Sequence, residues 1–197
     1  MRVAIGFKCH SGWAVAVVVG RDASGFRLLE RVRVDLIEPA DSPWAKAPYH
    51  AAEALDADAA DALVQRALLS ARSASVRALH ELRETLCGER YDVVACAVLT
   101  GAPMPDWTTA QIRAVHVRMH KAEGAMFPAA LLAAAATCEL PVVAVVAKTL
   151  EAHAERAFGG ARSASALIAS LGNGAGPPWG ADQKAAALAA AIALAES

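Results

Sequence analysis

The sequence predicts an α/β protein with a five-stranded mixed sheet flanked by helices. Three observations carry that expectation. Three strand-like runs follow one another at the start of the chain, separated only by short turns. Two later runs, 91–101 and 140–147, are apolar on both faces. Between and after these, apolar residues recur at helical spacing. Consecutive strands on short turns pair as an antiparallel meander. Strands apolar on both faces suit parallel neighbours buried under helices, and strands alternating with helices mark an α/β layer architecture.

The elements follow in order. Val3 to Phe7 reads as a strand, Lys8 to Gly12 as a polar turn, and Ala14 to Gly20 as a Val-rich second strand. "GRDASG", residues 20–25, is a turn. Arg27 to Ile37 alternates as a third strand, with a phase that slips near its start. Three prolines make residues 38–50 a loop. From about Ala51 to Leu86 the residues Val64, Leu68, Ala71, Ser75, Leu79, Leu82 and Leu86 form one helical stripe, long enough to be broken. "YDVVACAVLTG" is the fourth strand, about Thr108 to Cys138 is helical in two pieces, and "LPVVAVVA" is the fifth strand. Leu150 to Phe158 and Ser163 to Leu171 are short helices. "GNGAGPPWGAD" is a loop, and Ala181 to Ala195 closes the chain with Leu188, Ile192 and Ala195 on its apolar face.

Composition bounds the function. The 197 residues suit a single domain spanning 1–197. Hydrophobic residues make up 56% and charged residues 20%, which excludes a disordered chain. A net charge of -1 excludes nucleic-acid binding by bulk charge and leaves only a local patch. Arg21, Arg27, Arg31 and Arg33, or Arg113, Arg118 and Lys121, are the basic sets that could line one. No run is long enough to cross a bilayer, and the first residues read as strands rather than a signal peptide. Cys9, Cys87, Cys96 and Cys138 form no CxxC pair, which fits a reducing cytoplasm. The GxxxxGK[ST] phosphate loop is absent.

A three-strand meander leading into alternating helices and strands is the order of the ribonuclease H-like fold. Within it, the chain resembles RuvC-type Holliday junction resolvases over most of its length. "IGFKCHSGWAVAVV" looks like that family's first hairpin, "YDVVACAVL" like its fourth strand, and "EGAMFPAALLAAAATCELPVVAVV" like its following helix and fifth strand. "GADQKAAALAAAIAL" looks like its last helix. The resemblance implies a homodimer that cuts DNA with two divalent ions held by four carboxylates.

The departures bear on function. Two hard cations about 3.5–4 Å apart need acidic oxygens. Lys8 stands where the resemblance implies the first carboxylate, the fourth strand ends without an acid, and Asp92 lies at its wrong end. Asp182 matches the first aspartate of the last helix, but Ala185 stands where its partner would be. The expected fold brings the first turn, the end of strand four and the start of the last helix together. It should therefore gather Lys8, His10, Asp182 and Lys184. Two further clusters, Tyr49 with His50 and His120 with Glu123, could join them at the sheet end where open α/β sheets bind ligands.

Plainer roles compete for each residue. Lys8 could ion-pair with Asp182 and fill the place of a metal. His10 could be a solvated turn residue and Asp182 a helix cap. Tyr49 and His50 could staple their loop, His120 and Glu123 could pair on a helix surface, and "GPPWG" could be a rigid connector. Zinc on His and Asp ligands is a weaker alternative, because the spacing is nothing like a short zinc motif, and the expectation is no metal and no cofactor. The leading expectation is a RuvC-like protein without two-metal nuclease activity that binds nucleic acid or a small anionic ligand. The alternative is an enzyme with a rebuilt Lys/His/Asp site, hydrolytic or nucleotide-directed, using His10 or His120 as acid or base. Nucleic acid and a second copy of the chain are the expected partners, and a membrane is not.

Overall fold

A computed structural model describes residues 1–41 and 43–197, so Ser42 of the proline loop lies outside the described residues. Strands β1 (Arg2–His10), β2 (Trp13–Asp22) and β3 (Gly25–Asp35) form the meander. They are followed by α1 (Pro48–Ala51), α2 (Ala57–Gly88), β4 (Asp92–Thr100), α3 (Thr109–Arg113), α4 (His116–Thr137) and β5 (Val142–Val146). Helices α5 (Leu150–Phe158), α6 (Ala161–Gly172) and α7 (Ala181–Glu196) complete the chain. The sheet order is β3-β2-β1-β4-β5, with β1–β2 and β2–β3 antiparallel and β1–β4 and β4–β5 parallel.

The structure corrects several boundaries. The expected Lys8–Gly12 turn shrinks to Ser11 and Gly12, so Lys8 and His10 lie in β1 and His10 pairs with Trp13. Gly12, with φ 86°, makes that turn tight enough to keep both strands paired to their ends. The slipped phase of β3 is a bulge. Val18 faces Glu30 and Val19 faces Leu28, so Leu29 is an extra residue. Residues 38–50 are not wholly loop: two 3-10 turns and α1 occupy part of them. The long helix is broken at its start, where Asp56 caps α2 by accepting from Ala59 N–H at 2.8 Å. Helix α4 runs unbroken through Pro128, and the expected break falls before it at Ala114 and Val115.

Helices cover both faces of the sheet. Val3, Ile5, Phe7 and Val98 pack with Leu79 and Leu86 of α2 and Phe127 and Leu131 of α4. On the opposite face, Ala4, Ala97 and Leu99 pack against Leu188, Ile192 and Ala193 of α7. Val15, Val17 and Val19 meet Ala186, Ala187 and Ala190 of the same helix. Helix α7 is therefore enclosed and has no single apolar stripe: Ala186 to Leu194 are all buried, while Ala195, expected on the buried face, is exposed. Its alanines let it approach the sheet closely. A Cβ on Gly6 would stand 1.9 Å from the Ala186 carbonyl oxygen. Gly6, Lys8 and His10 alternate onto this face of β1, so the start of α7 comes to rest over the end of the strand.

Candidate functional site

The first cluster is built where α7 begins above the β1–β2 turn. Asp182, in the first turn of α7, places Oδ2 3.0 Å from His10 Nε2. The His10 ring stacks on Trp13 across the hairpin, with centroids 4.2 Å apart and an interplanar angle of 11°. The Arg33 guanidinium lies 4.1 Å from the Trp13 ring centroid and its Nε donates to Asp35 at 3.3 Å. Strand order sets this row: His10 on β1, Trp13 on β2, Arg33 on β3. A carboxylate in the first helical turn also complements the helix dipole. Beside the turn is a cavity of about 320 Å³ lined by Gly12, Arg33, Asp35, Ile37, Pro39 and Lys46.

The expected Lys8–Asp182 ion pair does not form. Lys8 lies near the end of β1 and Asp182 in the first turn of α7, but the carboxylate is held by His10, and Lys8 makes no ion pair among the described residues. Asp182 is not the helix cap either. Gly180 holds that position, with its N–H donating to Gln183 Oε1 at 3.0 Å. Lys184 does not join the cluster. Two residues beyond Asp182, it is exposed and lines a separate cavity of about 460 Å³ with Glu151 and Glu155 of α5. The neighbour of Lys8 on β4 is Leu99, which is buried.

The second cluster joins α1 to α4. Glu123 is buried at 8% exposure, and a carboxylate so placed must be matched by donors. Its Oε1 accepts from the backbone N–H groups of Tyr49 and His50, each at 3.1 Å. His50 Nδ1 lies 2.9 Å from Oε1 and 2.8 Å from Oε2. Tyr49 is anchored among Val64, Ile112, Met119 and Ala122, which fixes α1 against α2 and α4. Burial, and then the negative charges of Glu123 and Asp61, raise the Tyr49 phenol above its usual pKa. His120 does not pair with Glu123: its Nε2 stands 3.0 Å from His116 Nε2, one turn earlier on α4. The His50 ring centroid is 4.7 Å from that of His120 and 5.1 Å from that of His116.

Sequence reasoning missed Trp13, Lys46 and His116, and named Arg33 only as part of a basic strand face. The signal for His116 was present, because an i, i+4 histidine pair shares one helix face. The candidate basic sets are largely engaged locally. Arg31 donates to the carbonyls of Ala175, Gly176 and Pro178, tying the Gly/Pro loop to β3. Arg27 pairs with Asp22, and Arg21 lies over Phe26. Arg113 holds the carbonyls of Glu53 and Leu55, and Arg118 caps Gln111 and covers Trp107.

No protein-family model and no curated protein matches this chain. Comparison with solved structures does find relatives of its shape. RuvC of T. thermophilus in complex with a Holliday junction substrate superposes with a TM-score of 0.51 at 15% identity, covering 98% of this chain and 92% of that one. A second Thermus thermophilus RuvC structure superposes with the same TM-score and identity, over 96% and 92% of the two chains. The fold is ribonuclease H-like. The shared fold extends along nearly the whole chain. Among the described residues, no helix is long and apolar enough to cross a membrane.

The resemblance implies two divalent ions at the end of β1. The donor set there does not fit them. Lys8 is cationic, Leu99 offers no oxygen, Ala185 offers none, and the Asp182 carboxylate is bonded to His10. Hard cations take several oxygen ligands each, and one carboxylate does not supply two such shells.

Proposed function

We propose that this chain is a single-domain, cytoplasmic RuvC-like protein that binds structured DNA without cutting it by a two-metal route. The carrying observation is the position of Lys8, a fixed positive charge under the first turn of α7 where the resemblance implies a metal-binding carboxylate. A lysine there contributes its own charge to a phosphate and excludes a second cation by repulsion. Lys46 and Arg33 beside the same turn extend the cationic edge, with His10 and Trp13 as planar groups next to it. The neighbour solved with a Holliday junction substrate supports a branched duplex as the first DNA to try. A second copy of the chain is the partner this reading includes. The net charge of -1 makes the binding local and strongly dependent on salt.

The test is fluorescence anisotropy with a labelled four-way junction over a salt series, with magnesium present and the DNA run on a denaturing gel afterwards. The expected result is binding that weakens with salt, intact DNA, and weaker binding by Lys8→Glu. Absence of binding at low salt overturns the reading. So does magnesium-dependent cleavage that Asp182→Asn abolishes.

The His10–Asp182 bond favours a second reading, an enzyme in which a carboxylate orients a histidine general base. That reading requires turnover of a phosphate ester that both His10→Ala and Asp182→Asn lose while the fold persists.

A further inference from the structure

We propose that His50, His116 and His120 form a binding site for one zinc-class divalent transition-metal ion, with Glu123 as the group that orients it. The three imidazoles bring one ligand atom each to within 4.8 Å of one another. The chain has six histidines, and half of them meet at this point. The site lies between α1 and the first two turns of α4, apart from the His10–Asp182 pair, and does not depend on the DNA-binding reading.

Three features select a cation over simple packing of rings. First, His50 Nδ1 lies within hydrogen-bond distance of both oxygens of Glu123. A carboxylate there keeps the proton on Nδ1, so the lone pair of Nε2 is free to face a metal. Metal-bound histidines are held in this way, by a carboxylate on the far nitrogen. Second, Glu123 is buried and its charge is already matched by two backbone N–H groups and one imidazole. Its oxygens are thus committed to holding His50 in place. Third, His116 and His120 present Nε2 to Nε2 at 3.0 Å. Two nitrogens bound to one tetrahedral zinc at about 2.0–2.1 Å stand about 3.3 Å apart, so a slight opening of this pair admits an ion. Both residues are exposed, so an ion has an open path.

The donor type sets the metal class. Three neutral imidazoles suit zinc, cobalt, nickel or copper, and not magnesium or calcium, which take oxygen. Three protein ligands leave a fourth position for water or an anion. The site is of the exchangeable kind rather than a closed structural one.

The test uses the full chain, free of any histidine tag and stripped with a chelator. Zinc is titrated in competition with a chromophoric chelator, and cobalt is titrated with visible spectra recorded. The expected result is one equivalent of either metal, with cobalt giving the intense visible bands of a tetrahedral site. His116→Ala and His120→Ala each reduce zinc affinity by at least about 100-fold, and both positions are exposed, so these variants keep the fold. Glu123→Gln weakens binding by about 10–100-fold while leaving all three ligands in place. His153→Ala, on α5 where His153 Nε2 lies 2.9 Å from Glu196 Oε1 of α7, leaves the affinity unchanged. The proposal is overturned if the folded chain shows no saturable uptake of either metal. It is equally overturned if the His116→Ala/His120→Ala double variant still binds one equivalent undiminished.

Discussion

Glu123 holds His50 from both sides: Oε1 takes the His50 backbone N–H at 3.1 Å, and Oε2 lies 2.8 Å from the Nδ1 of its ring. One buried carboxylate therefore sets both the position of α1 and the angle of an imidazole. Replacing it by alanine strands the Tyr49 and His50 N–H groups in a packed site. The expected cost in Glu123→Ala is about 2–4 kcal/mol, because each unsatisfied buried donor costs about 1–3 kcal/mol. His116→Ala and His120→Ala, at exposed positions, should stay within about 0.5 kcal/mol of the wild type. Urea denaturation of the three metal-free variants checks the contrast, and equal losses would contradict it.

The contact between Gly6 and α7 predicts the strongest core defect. A Cβ at residue 6 would lie 1.9 Å from the Ala186 oxygen and 2.8 Å from the Ala190 nitrogen. Both are backbone atoms, so no rotamer change relieves the clash. Gly6→Ala should lower stability by about 3 kcal/mol or more, through overpacking that displaces α7 from the sheet. A melting curve reads this directly. Because α7 also carries Asp182, the displaced helix should lose the His10 bond, which the imidazole NMR signals would report.

The His10–Asp182 pair is about one-third exposed on each side, at 34% and 38%. Surface pairs of this kind contribute about 0–1 kcal/mol. Asp182→Asn should therefore melt close to the wild type. Its effect should appear in binding: removing the carboxylate bonded to His10 raises the local positive charge, so affinity for a four-way junction should rise. Lys8→Glu should lower it and reduce the slope of log K against log salt by about 1. Anisotropy titrations at several salt concentrations check both directions.

Much of the fold could be read from local chemistry. The meander declared itself through three strand-like runs on short turns, and α5 was read over Leu150 to Phe158, the range it occupies, with Gly159 at φ 80° closing it. The face of α7 was not legible. From Ala185 to Ala195 every residue is apolar and most are alanine, and a helix segment enclosed by a sheet and other helices has no polar side to contrast with. The site was legible in residue type but not in pairing. His10 and Asp182 do meet, yet that Asp182 takes His10 rather than Lys8 depends on β1 running on to His10, which a polar Lys8–Gly12 stretch does not announce. The His50–Glu123 bond spans 73 residues and follows from how α1 docks on α4, a tertiary fact without a local signature.

The cysteines offer a test of the burial pattern through reactivity. Burial raises the Cys9 thiol to about 12, against a smaller opposing pull from the charge of Lys8, and burial raises Cys96 to about 12 as well. A raised thiol pKa means the protonated form dominates at every pH below it, and the thiolate is the reacting species. Cys87, by contrast, is exposed at the end of α2. Alkylation of the native protein with iodoacetamide at pH 8 should therefore label Cys87 first, with Cys9 and Cys96 left unmodified until the chain is unfolded in urea. Peptide mass spectrometry assigns the sites. Fast labelling of Cys9 in the folded protein would mean that the strand end carrying Lys8 and His10 opens readily, and the row from Asp182 to Arg33 would then lack the fixed geometry described for it.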